Sequence, residues 1–225
     1  MTAYTKRLQK VTAVLCTTAL LAGCAAGTSD NTEPAEPAAT TAQVKAITIE
    51  PTAAYQTMNG FGASACWWSQ EVGNWENAKD ILSLLYDENS GIGLNIYRYN
   101  LGAGSKDDAT ITDPDRRAEA FIDKDGSYHW ERDAAAQNAL ALAKSMNKDL
   151  RVTLFSNSAP VFYTANGKAY CDYLPDDEKY VTNLEPERYA DFAKYSIACA
   201  RHFTEAGYRV TDLSPINEPE WSWRG

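Results

Sequence analysis

Histidine is almost missing from this 225-residue sequence: His129 and His202 are the only two. With no CxxC pair and no Cys/His cluster among its five cysteines, the chain lacks the ligand set that zinc requires, and neither a metal nor another cofactor is expected. Basic charge is also scarce. Lys and Arg number 21 against 30 Asp and Glu, giving a net charge of -9. That balance argues against nucleic acid or an anionic membrane surface as a partner, since both would be repelled at long range. The Gly-rich stretch Gly60-Phe61-Gly62 does not have GxGxxG spacing, which disfavours a nucleotide-binding sheet. The apolar run at residues 11–21 is too short to span a bilayer comfortably.

What is present has the composition of a soluble globular protein with a substantial core: 44% hydrophobic and 23% charged residues. Residues 1–24 read as an export signal, with Lys6, Arg7 and Lys10 as its basic region ahead of the apolar run. Leu21-Ala22-Gly23-Cys24 resembles a bacterial lipobox, in which Cys24 carries the lipid; an ordinary secretory signal cut near Ala25-Ala26 is the alternative. Either way the mature protein is expected to be exported, touching the membrane only through its N-terminal anchor. Residues 25–43, rich in Ala, Thr, Pro and Glu, read as a flexible tether. Cys16 falls in the signal and Cys24 takes lipid, so Cys66, Cys171 and Cys199 remain. That odd number predicts buried thiols, or one pair plus one free cysteine.

From residue 44 onward the chain alternates strand, loop and helix. Residues 44–50 alternate like a half-buried strand, and 58–64, 94–100, 149–157 and 211–216 read as four further strands. Helices are expected over 77–86, stopped by Gly91; over 131–146; and over 187–206, led in by Pro186 and ended by Gly207. The repeat is that of parallel βαβ units and leaves two architectures, an open doubly wound sheet or a (β/α)8 barrel. The barrel accounts for strand ends that all turn polar or aromatic, and four units make half of one. Four strands alone would leave two open edges and place residues such as Ile96 and Leu154 on a wet inner face.

The most informative strand end is the last: Pro215-Ile216-Asn217-Glu218-Pro219, followed by Trp221 and Trp223. A carboxamide and a carboxylate stand where the strand gives way to a loop, and Pro219 discourages further pairing by lacking an N–H. The other ends carry Trp67 and Trp68; Arg98 and Asn100; and Asn157 and Ser158. The tryptophans suit stacking on sugar rings or packing at a barrel mouth. Arg98 on a buried strand calls for a partner, and Asn157 and Ser158 either bond substrate hydroxyls or cap their loop.

These motifs, with residues 59–64 (NGFGAS), 93–102 (GLNIYRYNLG) and 157–160 (NSAP), resemble glycoside hydrolase family 30, most closely its endo-β-1,6-galactanase branch. The resemblance covers residues 44–225. It implies the N-terminal half of a (β/α)8 catalytic domain, with a β-sandwich side domain to which 44–50 adds an early strand. It implies a retaining β-glycosidase acting on poly- or oligosaccharide, with Glu218 as general acid/base, Asn217 bonded to the sugar 2-hydroxyl, and Arg98 near the nucleophile. That nucleophile is a Glu at the end of a seventh strand, beyond residue 225, so the chain by itself is expected to be inactive. After Pro160, Val161-Phe162-Tyr163 replaces the Trp-rich run of the family, which leaves the reaction type as implied but keeps xylanase or β-glucosidase activity as alternatives to galactan cleavage; a surface lipoprotein that binds glycan without catalysis is a separate alternative.

Overall fold

The computed structural model describes residues 47–171 and 182–221. The signal with Cys24, the tether, Tyr173 and Trp223 lie outside the described residues. Two compact units divide the chain, residues 1–54 and 55–225. In the first, residues 47–54 are irregular rather than extended, which corrects the strand expected at 44–50 over its described part. Ile47 and Ile49 have the alternation of a strand, but a strand needs a neighbour to take its N–H and C=O groups. They are 87% and 82% exposed instead.

The second unit is built on four parallel strands: β1 (Gly62–Ser64), β2 (Ile96–Asn100), β3 (Arg151–Phe155) and β4 (Arg209–Ser214). Their order in the sheet is β1-β2-β3-β4, so each new strand adds to the same edge. A doubly wound sheet reverses direction at a switch point, and this one does not. Sequential parallel winding with intervening helices is the arrangement of half a (β/α)8 barrel. In register, Ser64, Arg98, Thr153 and Asp212 form one row, and Asn100 and Phe155 the next. A bulge between Val152 and Thr153 lets β4 keep this row.

Helix α1 (Trp68–Val72) follows β1; its five residues are too few to carry a helical periodicity. Helix α2 (Ala78–Tyr86) buries Ala78, Leu82 and Tyr86, four residues apart on one face. Helix α3 (Ala134–Met146) buries Ala135, Ala136, Ala139, Leu140 and Ala143, a small-residue stripe that lets it lie close to α1 and α2. Helix α4 (Tyr189–Glu205) follows a 3-10 turn at Pro186–Arg188 and buries Phe192, Tyr195, Ser196, Cys199 and Phe203. These helices cover the face of the sheet that presents Tyr97, Tyr99, Val152 and Leu154, all of them fully buried. Leu154 therefore does not lie on the wet face; the period of two along β3 gives that side to Arg151, Thr153 and Phe155.

Edge β1 is short for a local reason. Gly60 has φ +139, a conformation that favours glycine, and the neighbouring Phe61 N–H donates to Asn95 Oδ1 at 2.9 Å. Residues 58–61 are thus anchored as an irregular lead-in rather than as the strand expected there. The other edge, β4, is largely exposed. Cys66, Cys171 and Cys199 form no disulfide among them, so of the two arrangements open in the sequence the thiol form is observed. Cys171 and Cys199 are buried and Cys66 is half-buried.

Candidate active site

The C-terminal ends of the four strands bring the polar residues together. Arg98, midway along β2, reaches across the sheet: its Nη2 donates to Asn217 Oδ1 at 2.7 Å and its Nη1 to Ser64 Oγ at 3.3 Å. The guanidinium lies flat on Phe155, 3.3 Å from the ring centroid, a cation–π contact that substitutes for part of its lost hydration. Burial pulls the Arg98 pKa down, and the nearby Glu218 carboxylate acts in the opposite sense. One side chain thus links the ends of β1, β2 and β3 to the loop after β4.

That loop is held by main-chain bonds. Ser156 N–H donates to Ser214 O at 3.2 Å and Asn217 N–H to Ser156 O at 2.9 Å, so the pairing of β3 with β4 continues past the last regular residue. Glu218 then takes a left-handed conformation, φ +44, and its carbonyl accepts from Trp221 N–H at 3.0 Å. The chain turns sharply there, and the Glu218 side chain is exposed beside the Arg98–Asn217 pair. A non-glycine residue in this region carries strain of about 1 kcal/mol or more, a common feature of functional loops.

A second polar knot sits between β2 and β3. Asn157 Nδ2 donates to Asn100 Oδ1 at 3.3 Å and lies 3.6 Å from Cys66 Sγ. Ser158 is buried and its hydroxyl donates to Ala159 O at 3.0 Å. Asn100 and Asn157 line a recess with about 580 Å³ of atom-free space, adjoining open solvent included, along with Trp67, Ile111, Arg116 and Tyr170. A smaller recess of about 260 Å³ shares Asn157, Ser158 and Tyr170 with it and extends to Ile216 and Pro219, on either side of the Asn217-Glu218 pair.

The two tryptophans separate. Trp67 follows a cis peptide after Cys66 and faces the larger recess, with the Arg116 guanidinium 5.2 Å from its ring. Trp68 is the first residue of α1. Its indole N–H donates to Ser64 O at 2.9 Å and its ring packs on Tyr97, so this residue stabilises the end of β1. Tyr170 and Ile111, from irregular loops, and Arg116, from the three-residue 3-10 turn Pro114–Arg116, border the recess at places where sequence periodicity carries no signal. Among the described residues no cluster of three or more His, Cys, Asp or Glu is placed to hold a metal ion.

The chain is similar to several known proteins. An endo-β-1,6-galactanase from Hypocrea rufa is 29% identical over 203 residues, covering 79% of this chain and 40% of that protein. An exo-β-1,6-galactobiohydrolase from Bifidobacterium longum is 27% identical, covering 80% of this chain and 16% of that protein. Among solved structures, a conserved exported protein from Bacteroides fragilis superposes with a TM-score of 0.65 at 26% identity, covering 77% of this chain and 39% of that one. The chain thus spans at most about two fifths of the length of these relatives. Residues 44–225 match the family described as O-Glycosyl hydrolase family 30, and the chain belongs to that family.

Proposed function

We propose that this chain carries the acid/base half of the active site of an exported, retaining β-glycosidase whose substrate is a β-1,6-linked galactan. One observation carries the reading: Glu218 stands at the C-terminal end of a parallel sheet, next to an Asn217 whose amide is oriented by Arg98. With Oδ1 engaged by the guanidinium, the Nδ2 donors of Asn217 are left for a sugar hydroxyl oxygen. Glu218 protonates the leaving glycosidic oxygen and then, as the conjugate base, activates the water that releases the product. The attacking carboxylate must lie about 5 to 5.5 Å away. It is proposed to come from a Glu on a later strand of the complete barrel, so residues 25–225 alone should not turn over glycan. The β-1,6-galactan assignment rests on the two galactan-cleaving relatives. Export rests on the signal at residues 1–24, with Cys24 as the proposed lipid attachment point.

Glu218→Gln in the full-length protein tests the acid role. Hydrolysis of natural galactan should fall by about 10² to 10⁴-fold, while an aryl galactoside with a good leaving group, which needs little protonation, should lose much less in its glycosylation step. Equal losses on both substrates would overturn the role of Glu218. Following the first product by NMR reports the anomer, and an inverted product would reject the retaining mechanism.

A further inference from the structure

Two loops far apart in sequence are fastened together over the larger recess. Lys168 Nζ donates to both carboxylate oxygens of Asp108, at 2.9 and 3.0 Å, and to Thr110 Oγ1 at 3.1 Å. The Tyr170 hydroxyl donates to the same Thr110 oxygen at 2.9 Å. The pair is partly shielded, with the Asp108 side chain 14% and that of Lys168 33% exposed, so solvent screens it less than a typical surface ion pair. Behind the fastening, buried Asn183 stiffens the Lys168 loop: its Nδ2 donates to Lys168 O at 2.9 Å and to Tyr170 O at 3.0 Å. Lys168 is thus held at both ends, its main chain by Asn183 and its ammonium group by the loop after β2.

The position of this fastening matters because Tyr170 and Ile111, one from each loop, line the recess together with Trp67, Asn100 and Asn157. Aromatic rings and carboxamides lining one recess suit a pyranose ring, which has apolar C–H faces and a hydroxyl rim. The smaller recess shares Asn157, Ser158 and Tyr170 with this one and is lined also by Ile216 and Pro219, the residues flanking Asn217 and Glu218, so a sugar chain seated at Glu218 has a continuous path to the larger recess. We propose that Lys168, through Asp108 and Thr110, is a positioning residue that sets the wall of this outer sugar site and so makes the protein favour chains of two or more units over single glycosides. The inference rests on the glycosidase reading above for the chemistry at Glu218, but the outer site binds sugar whether or not cleavage follows.

The test uses the full-length protein, Lys168→Met, the conservative Lys168→Arg, and a β-1,6-galacto-oligosaccharide series alongside an aryl monogalactoside. Lys168→Met should raise KM for oligosaccharides about tenfold with kcat nearly unchanged, leave the monogalactoside unaffected, and weaken oligosaccharide binding by a similar factor in calorimetry. Lys168→Arg should recover most of the loss. Equal oligosaccharide affinity in wild type and Lys168→Met would overturn the proposal while leaving the role of Glu218 intact. Parallel losses on both substrates with a lowered Tm would overturn it in favour of a purely folding role. A wild type that binds oligosaccharide without cleaving it would sink the glycosidase reading and leave the outer site standing if Lys168→Met weakens that binding. A wild type that neither binds nor cleaves would overturn both.

Discussion

On the helix-covered face of the sheet, Tyr97, Tyr99, Val152 and Leu154 are fully buried, while one residue along the same strands Arg98 and Thr153 share a row with Asp212 of β4 on the opposite face. The alternation is set by strand geometry, and the difference in chemistry follows from what each face meets. The covered face meets α2, α3 and α4 and gains from burying apolar area, roughly 25 cal/mol per Å². The other face meets polar groups and open recesses, and there the buried Phe155 is covered by the Arg98 guanidinium. Stability is concentrated on one side of the sheet and chemistry on the other, so mutations on the two sides should differ in kind.

The largest expected contrast in stability comes from Leu154→Ala compared with Thr153→Ala. The first leaves a cavity against packed helices and should cost about 2 to 5 kcal/mol; the second removes a half-buried side chain and should cost about 1 kcal/mol or less. Urea titrations that gave equal losses would erase the distinction between the faces.

A buried acid on the covered side sharpens the comparison. Asp133 precedes α3 in a left-handed conformation, accepts a 2.6 Å bond from the Tyr99 hydroxyl, and donates its own N–H to Glu119 Oε2 at 2.7 Å. Burial raises the Asp133 pKa from 3.8 to about 7, against the lowering effect of the Tyr99 bond. The folded state therefore holds this proton more tightly than the unfolded chain. The resulting stability is fully present below about 3.8 and is lost as pH rises toward about 7, by at most about 1.4 kcal/mol per unit. Asp108, Glu119, Asp123 and Asp191, whose pKa values are lowered, act in the opposite sense, losing their contribution only at more acidic pH. Asp133→Asn should flatten the decline of Tm between pH 5 and 7, and an unchanged pH profile would show that Asp133 is not the group responsible.

The smallest effect is expected on the open face at its exposed edge. Arg151 and Asp212 approach to 3.7 Å, with the Asp212 side chain 57% exposed. Asp212→Asn should change stability by about 0.5 kcal/mol or less, less still in high salt. A loss above about 2 kcal/mol in chemical denaturation would mean that this edge is far better shielded than it is here.

The repeating strand, loop and helix pattern and the placement of Asn217-Glu218-Pro219 in a turn after the last strand were legible in the sequence because period-2 and period-3.6 burial and Gly and Pro punctuation are local properties. The helices matched closely for the same reason; α3 begins three residues later than expected because residues 131–133 are used to place Asp133 under Tyr99. The strand expected at 44–50 failed because alternation shows that a segment is able to pair, while a partner strand has to come from elsewhere in the fold. Which face Leu154 takes, the Arg98 contact with Asn217 across 119 residues, and the fastening of Lys168 to Asp108 across 60 were decided only by the tertiary structure. Each depends on the phase of a strand or on two loops meeting in space, and neither is encoded in the spacing of residues along a single segment.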